Sequence, residues 1–153
     1  MKTLQDWFTE YSVSHQNMTN KKIHYICVPL IFFSVVGLVM SIPNGLLQPL
    51  VSVHPIMGNW AFIVLVLVLL FYFRLSIAMG MKMLLFAVVC LMGNYFIAQY
   101  VPLAWFSLAL FAVGWIGQFY GHKIEGKKPS FLKDLQFLLI GPAWVIHSLF
   151  NGK

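Results

Sequence analysis

The sequence predicts an all-α polytopic membrane protein: a four-helix transmembrane bundle with an N-terminal interfacial helix and a C-terminal interfacial or re-entrant helix. Three observations predict it. Of 153 residues, 60% are hydrophobic and only 9% charged, against roughly 25% charged in soluble domains. The ninety-nine residues from Ile23 to Gly121 hold two formal charges, Arg74 and Lys82, too few to solvate any face of a globule. Pro, Gly and Asn punctuation cuts that tract into segments close to the ~20 apolar residues that cross a ~30 Å hydrocarbon core at 1.5 Å per residue. With no internal repeat, residues 1–153 read as a single membrane-embedded domain.

Residues 3–15 place Leu4, Trp7, Phe8 and Tyr11 at helical spacing, with Asp6, Glu10 and Ser14 on other faces, the pattern of an amphipathic helix lying among lipid headgroups. Charges at Lys2, Asp6, Glu10, Lys21 and Lys22 argue against a cleavable secretory signal. The first span is expected at 23–42, closed by a loop with Pro43, Asn44, Gly45, Pro49 and Pro55. A second follows at 56–72, then a turn carrying Arg74, Gly80 and Lys82, a third span at 83–98, a short link at Pro102, and a fourth span at 103–120. Connections this short imply antiparallel neighbours. Residues 131–150 are apolar but interrupted by Lys133, Asp134, Gln136, Gly141, Pro142 and His147, which favours an interfacial or re-entrant element over a fifth crossing.

A net charge of +6 and a pI near 9.5 would suggest nucleic acid in a soluble protein. Here basic residues flank apolar spans, so membrane lipids are the expected partner and nucleic acid is not. Lys and Arg number three in the N-terminal segment, two in the second-to-third turn and four in residues 122–134, with none in the other two loops. The positive-inside rule then puts both termini in the cytoplasm, of a bacterial inner membrane or an endoplasmic reticulum alike. Cys27 and Cys90 lie in apolar runs without C-x-x-C spacing and read as packing residues.

Ionisable groups near a bilayer cost several kcal/mol when left unpaired, so the histidines are informative. His15, His24, His122 and His147 fall near one membrane face although they come from both ends of the chain. Tyr11 and His15 are four apart, as are Asn20 and His24, so each pair can share a helical face. Nine residues turn His15 and His24 half a turn apart, so both reach one centre only if the chain breaks between them, plausibly around Asn17 to Asn20. Gln118, His122 and Glu125, at i, i+4 and i+7, form a polar stripe at the end of the fourth span. Three imidazoles and a carboxylate suit Fe(II), Mn(II) or Zn(II); snorkelling side chains and a solvated helix end are the alternative.

Other polar and small residues carry plainer readings. His54 reads as an exposed loop residue. Gly114, Gly117 and Gly121 suit close helix packing or leave room for a substrate tail, and Asn94 and Gln99 suit hydrogen bonds between helices. Arg74 and Lys82 suit interfacial anchoring. No G-x-S-x-G, H-E-x-x-H, Walker or dinucleotide fingerprint occurs, which disfavours the commonest hydrolase, zinc-protease and nucleotide chemistries.

The string Tyr11-x3-His15-x4-Asn20-x3-His24-x4-Pro29, followed by Trp115-x2-Gln118-x3-His122-x2-Glu125-x3-Pro129, resembles the 2-hydroxy fatty acid dioxygenases of fatty-acid α-oxidation over roughly residues 4–150. The resemblance implies a membrane enzyme with Fe(2+) as cofactor. It would use O2 to shorten a 2-hydroxy long-chain fatty acid by one carbon with loss of CO2, as in phytosphingosine breakdown. It implies His15, His24 and His122 as iron ligands and Glu125 as an acidic catalytic position, either ligand or supporting group. Tyr11, Asn20 and Gln118 would orient the ligands around the cofactor. Where relatives often carry a Glu after the Pro-aromatic segment near the C-terminus, this chain has Pro142, Trp144 and His147, which puts a fourth ligand in doubt. A zinc-dependent lipid hydrolase and a non-enzymatic haem- or lipid-binding bundle remain open on the same histidines.

Overall fold

A computed structural model of the chain describes residues 2–47, 56–126 and 131–151, with the side chains at 46, 131–136 and 151 left aside. The described residues form six α-helices and no strand: α1 Leu4–Ser12, α2 Met18–Met40, α3 Trp60–Leu75, α4 Ile77–Ile97, α5 Leu103–Glu125 and α6 Phe131–Asn151, with a 3-10 turn at Gly45–Leu47. The all-α class is as expected. Three helices, α2, α4 and α5, are long and apolar enough to cross a membrane. At 16 residues, α3 extends about 24 Å. Exposed side chains such as Ile26, Leu67, Leu70, Leu85, Val113 and Ile116 are apolar, as helices facing hydrocarbon require.

Helix boundaries differ from the expected spans where a polar side chain caps the backbone. Asn59 accepts from Phe62 N at 3.0 Å, so α3 starts at Trp60 rather than 56. Ser76 both ends α3 and caps α4, its hydroxyl accepting from Met79 N at 3.4 Å. The expected Arg74–Lys82 turn therefore shrinks to one residue, and Lys82 lies within α4. Helix α5, the expected fourth span, runs past Tyr120 to Glu125 and stops at Gly126, whose φ of 69° is the left-handed stop that favours glycine. Residues 131–151 form one continuous helix through Gly141 and Pro142. His54 lies outside the described residues.

The chain divides into two compact units, Met1–Phe32 with Phe111–Lys153, and Phe33–Leu110. In the second unit, α3 and α4 form a hairpin about Ser76, with Leu65, Tyr72, Met79, Met83, Ala87 and Cys90 buried. Asn94 donates to Phe33 O at 3.0 Å and Cys90 O at 2.9 Å, the bond between helices its sequence position suggested. Gln99, in the turn that follows α4, instead donates back to Tyr95 O in that helix. A Cβ at Gly37 would overlap Ser107 Oγ and Asn94 Oδ1, so glycine there permits close backbone approach.

The first unit holds the histidines. Its α1 begins with a capping box: Thr3 Oγ1 accepts from Asp6 N at 3.2 Å, and Asp6 Oδ2 from Thr3 N at 2.8 Å. The Thr3 backbone and side-chain bonds hold the exposed Asp6 carboxyl below the usual carboxylate range. Phe8 and Tyr11 form the buried face of α1 and meet α6: Tyr11 packs edge-on to Phe137 at 5.3 Å and tilted to Trp144 at 5.1 Å. Along α5, Gly114, Gly117 and Gly121 form the packing stripe expected of them, because a Cβ at each would overlap Ile31, Cys27 and Asn20 of α2 respectively.

Candidate metal centre

The break that lets His15 and His24 converge falls earlier than the sequence suggests. Helix α1 ends at Ser12 and α2 starts at Met18, leaving His15 in the connecting turn. Asn17 is the reason: its Oδ1 accepts from Thr19 N at 2.8 Å and Asn20 N at 3.3 Å, satisfying donors that a helix N-terminus otherwise leaves bare. Asn20, expected as part of the break, sits inside α2 and is fully buried. The backbone between the two histidines therefore leaves the helical path, and both rings reach one centre.

His15, His24 and His122 are all buried, at 2%, 1% and 4% exposure, and their ligand nitrogens lie within 4.8 Å of one another. The ring centroids of His15 and His24 are 4.3 Å apart, those of His24 and His122 5.0 Å, and those of His15 and His122 5.4 Å. Burying three imidazoles against one another is unfavourable unless something satisfies them. Local hydrogen bonds set their polarity. His15 Nδ1 lies 2.7 Å from Tyr11 O, and His24 Nδ1 lies 3.0 Å from Asn20 O. A carbonyl only accepts, so in both rings Nδ1 carries the proton and Nε2 presents a lone pair. Among the described residues, the buried His24 Nε2 has no hydrogen-bond partner. Converging lone pairs repel, and a cation between them removes the conflict. The donor set and the orphaned His24 nitrogen fit a divalent metal, and this cluster could hold one.

The residues around the triad orient it. Tyr11 stacks on His15 at 4.1 Å and 7°, which fixes the ring plane in a turn that has no helical constraint. Asn20 gives its carbonyl to His24 and its amide to Glu125 Oε2 at 2.9 Å. Glu125 lies outside the triad of possible ligands. Its Oε1 accepts from Gln16 N at 2.7 Å and its Oε2 from Asn17 N at 2.9 Å. Gln118, one turn before His122, is buried and lines a small cavity beside His15 and His24. His147, the fourth histidine expected at this face, is not part of the cluster; it is half-buried against Phe8, ring centroids 5.0 Å apart.

The cavity measures about 30 Å³ and its apolar lining is Val28, Ile31, Trp115, Phe137 and Leu138. That is room for about one or two water-sized groups. Among the described residues, neither Lys nor Arg lines it. Sequence reasoning missed Val28 and Ile31 as lining residues, although they follow His24 by four and seven positions and so share its helical face. Phe137 and Trp144, which frame Tyr11, had no pattern linking them to the motifs.

No curated protein and no solved structure matches the chain. A protein-family model does: that of the 2-hydroxy-palmitic acid dioxygenase Mpo1-like proteins matches residues 1–152. With a buried three-histidine cluster built from both of its recurring motifs, the chain belongs to the 2-hydroxy-palmitic acid dioxygenase Mpo1-like family.

Proposed function

We propose that the protein is an Fe(II)-dependent dioxygenase that removes one carbon from 2-hydroxy long-chain fatty acids as CO2. The observation that carries this reading is the buried triad His15, His24 and His122, with Nδ1 of His15 and His24 bonded to backbone carbonyls. Family membership supplies the substrate class. Three neutral imidazoles on one side of an ion leave its other positions for exogenous oxygen ligands, and a 2-hydroxy carboxylate offers two. Iron(II) held there would supply the one-electron chemistry with O2 that no side chain in the cavity has.

The reaction balances without an external reductant. One O2 takes up the four electrons released as the 2-hydroxy acid becomes a shorter acid and CO2, with one water formed. The chain's own part is to bind, orient and exclude water. Tyr11 and Asn20 hold the His15 and His24 rings. Trp115, Phe137, Val28 and Ile31 keep bulk water from the cavity. The Gln118 amide is the neutral polar group of the lining beside the imidazoles, suited to a substrate oxygen. With no cation among the described lining residues, the substrate's negative charge would be balanced by the metal. The acyl tail lies among apolar helices, where each buried CH2 contributes about 0.8 kcal/mol.

The reading includes a four-span bundle in one membrane-embedded domain, with α2, α3, α4 and α5 as the spans and α1 and α6 at the interface. Lys and Arg placement supports a cytoplasmic side for both termini and the site. The test is anaerobic purification, loading with Fe(II), and turnover of 2-hydroxypalmitate under O2. Pentadecanoic acid and CO2 should form in step with O2 uptake, and His15→Ala, His24→Ala and His122→Ala should each lower turnover by roughly 100-fold or more. Absence of the shortened acid from iron-loaded protein refutes the proposal. Zinc-dependent turnover without O2 uptake would identify a hydrolase instead, and a Soret band a haem protein.

A further inference from the structure

We propose that Glu125 is a positioning residue that fastens the other two histidines to the helix bearing His122, and that it is not itself a metal ligand. This rests on the triad being a metal site. The Glu125 carboxylate accepts three hydrogen bonds: Oε1 from Gln16 N at 2.7 Å, and Oε2 from Asn17 N at 2.9 Å and Asn20 Nδ2 at 2.9 Å. All three donors lie more than a hundred residues earlier in the chain. Each one touches the support of a histidine. The Gln16 N–H belongs to the peptide that leaves His15. Asn17 caps α2 through its own side chain. Asn20 supplies the carbonyl that fixes His24 Nδ1.

Glu125 itself follows His122 by one helical turn, so a single side chain joins all three imidazoles to one frame. Bonds from N–H groups to a carboxylate are the stronger kind, and a negative charge at the start of α2 is favoured by the helix dipole. Gly121 makes the contact possible: a Cβ there would overlap Asn20 Oδ1 and come within 3.4 Å of His24 Cε1 and Nδ1. With both oxygens committed to N–H donors, turning the carboxylate toward the triad would give up bonds that hold two of its members.

The test is metal binding to purified full-length protein, read with Co(II) and anaerobic Fe(II) for affinity and with X-ray absorption for the donor set. Glu125→Gln is isosteric, but its amide NH2 would face an N–H donor in either orientation. Roughly 10- to 100-fold weaker Co(II) and Fe(II) binding is expected, with the same nitrogen and oxygen donors at saturation. KM for 2-hydroxypalmitate should be unchanged once Fe(II) is saturating. Glu125→Asp, which keeps both oxygens on a shorter stem, should recover part of the loss. Wild-type affinity in Glu125→Gln, or an oxygen donor missing from its saturated site, overturns the proposal. Should Gln at this position prevent folding, Glu125→Asp gives the same comparison, weaker Co(II) binding supporting the proposal and equal binding overturning it. Wild-type protein that binds neither metal overturns this proposal and the metal-centre reading together, whereas a metal-binding wild type with an unaffected variant overturns only the role of Glu125.

Discussion

Replacing Gly121 by alanine probes how tightly the site is built. The added Cβ would overlap Asn20 Oδ1, and Asn20 has little freedom to retreat. It is fully buried, and its Nδ2 is bonded to Glu125 Oε2 at 2.9 Å and Ser14 O at 3.4 Å. Either α5 backs away from α2 or the amide turns and gives up its bond to a carboxylate. Overpacking of this kind costs about 1–3 kcal/mol, and a lost hydrogen bond to a charged group falls in a similar range of about 1.5–3 kcal/mol. A loss of about 2 kcal/mol is expected, roughly a 30-fold change in the folded-to-unfolded ratio.

Two neighbours calibrate the Gly121 measurement. At Gly117 the added methyl meets Cys27 Sγ, the end of a half-buried side chain that can rotate, so Gly117→Ala should cost less, about 1 kcal/mol. At Gly45 nothing among the described residues lies within 4 Å, and alanine there should be neutral. Denaturation of detergent-purified protein gives the stability order, and Co(II) titration gives the effect on the site. Gly121→Ala with wild-type stability and wild-type Co(II) affinity would refute the reasoning that α5 needs a glycine at this point.

Tyr11→Phe keeps the stack on His15 and the edge contact with Phe137, so Co(II) affinity should stay within about threefold of wild type, whereas Tyr11→Ala removes both contacts and should weaken it by roughly 10-fold or more; equal loss in the two variants would assign the role to the hydroxyl. Asn94→Ala removes donors to Phe33 O and Cys90 O and should destabilise by about 1 kcal/mol in equilibrium denaturation, without changing Co(II) affinity; an altered affinity would mean that this bond bears on the metal site.

The parts of the site legible in the sequence are those set by spacing along a helix. Gln118, His122 and Glu125 lie on α5 as their separations require, and Gly114, Gly117 and Gly121 mark where α5 meets α2. The need for a break between His15 and His24 was also readable from their half-turn offset. Its position was not, because Asn17 acts as a cap rather than as a breaker, a choice made by hydrogen bonds to Thr19 and Asn20. The partners of Glu125 were hidden for a related reason: two of its three donors are backbone N–H groups, which every residue but proline carries. Ser76 shows the same thing on a smaller scale, one hydroxyl reducing an expected ten-residue turn to a single position. His147 was grouped with the other histidines by its distance from the membrane face, which does not fix a direction around α6.

The triad takes members from the two ends of a discontinuous unit, with seventy-eight residues between its halves. A ribosome delivers His15 and His24 to the bilayer long before His122 exists. During that interval the newborn polypeptide offers two imidazoles and no third, and Glu125 has not yet arrived to brace them. On the proposed reading of the triad as a metal site, acquisition of the ion is therefore a late event of biogenesis, which follows synthesis of the last long apolar helix.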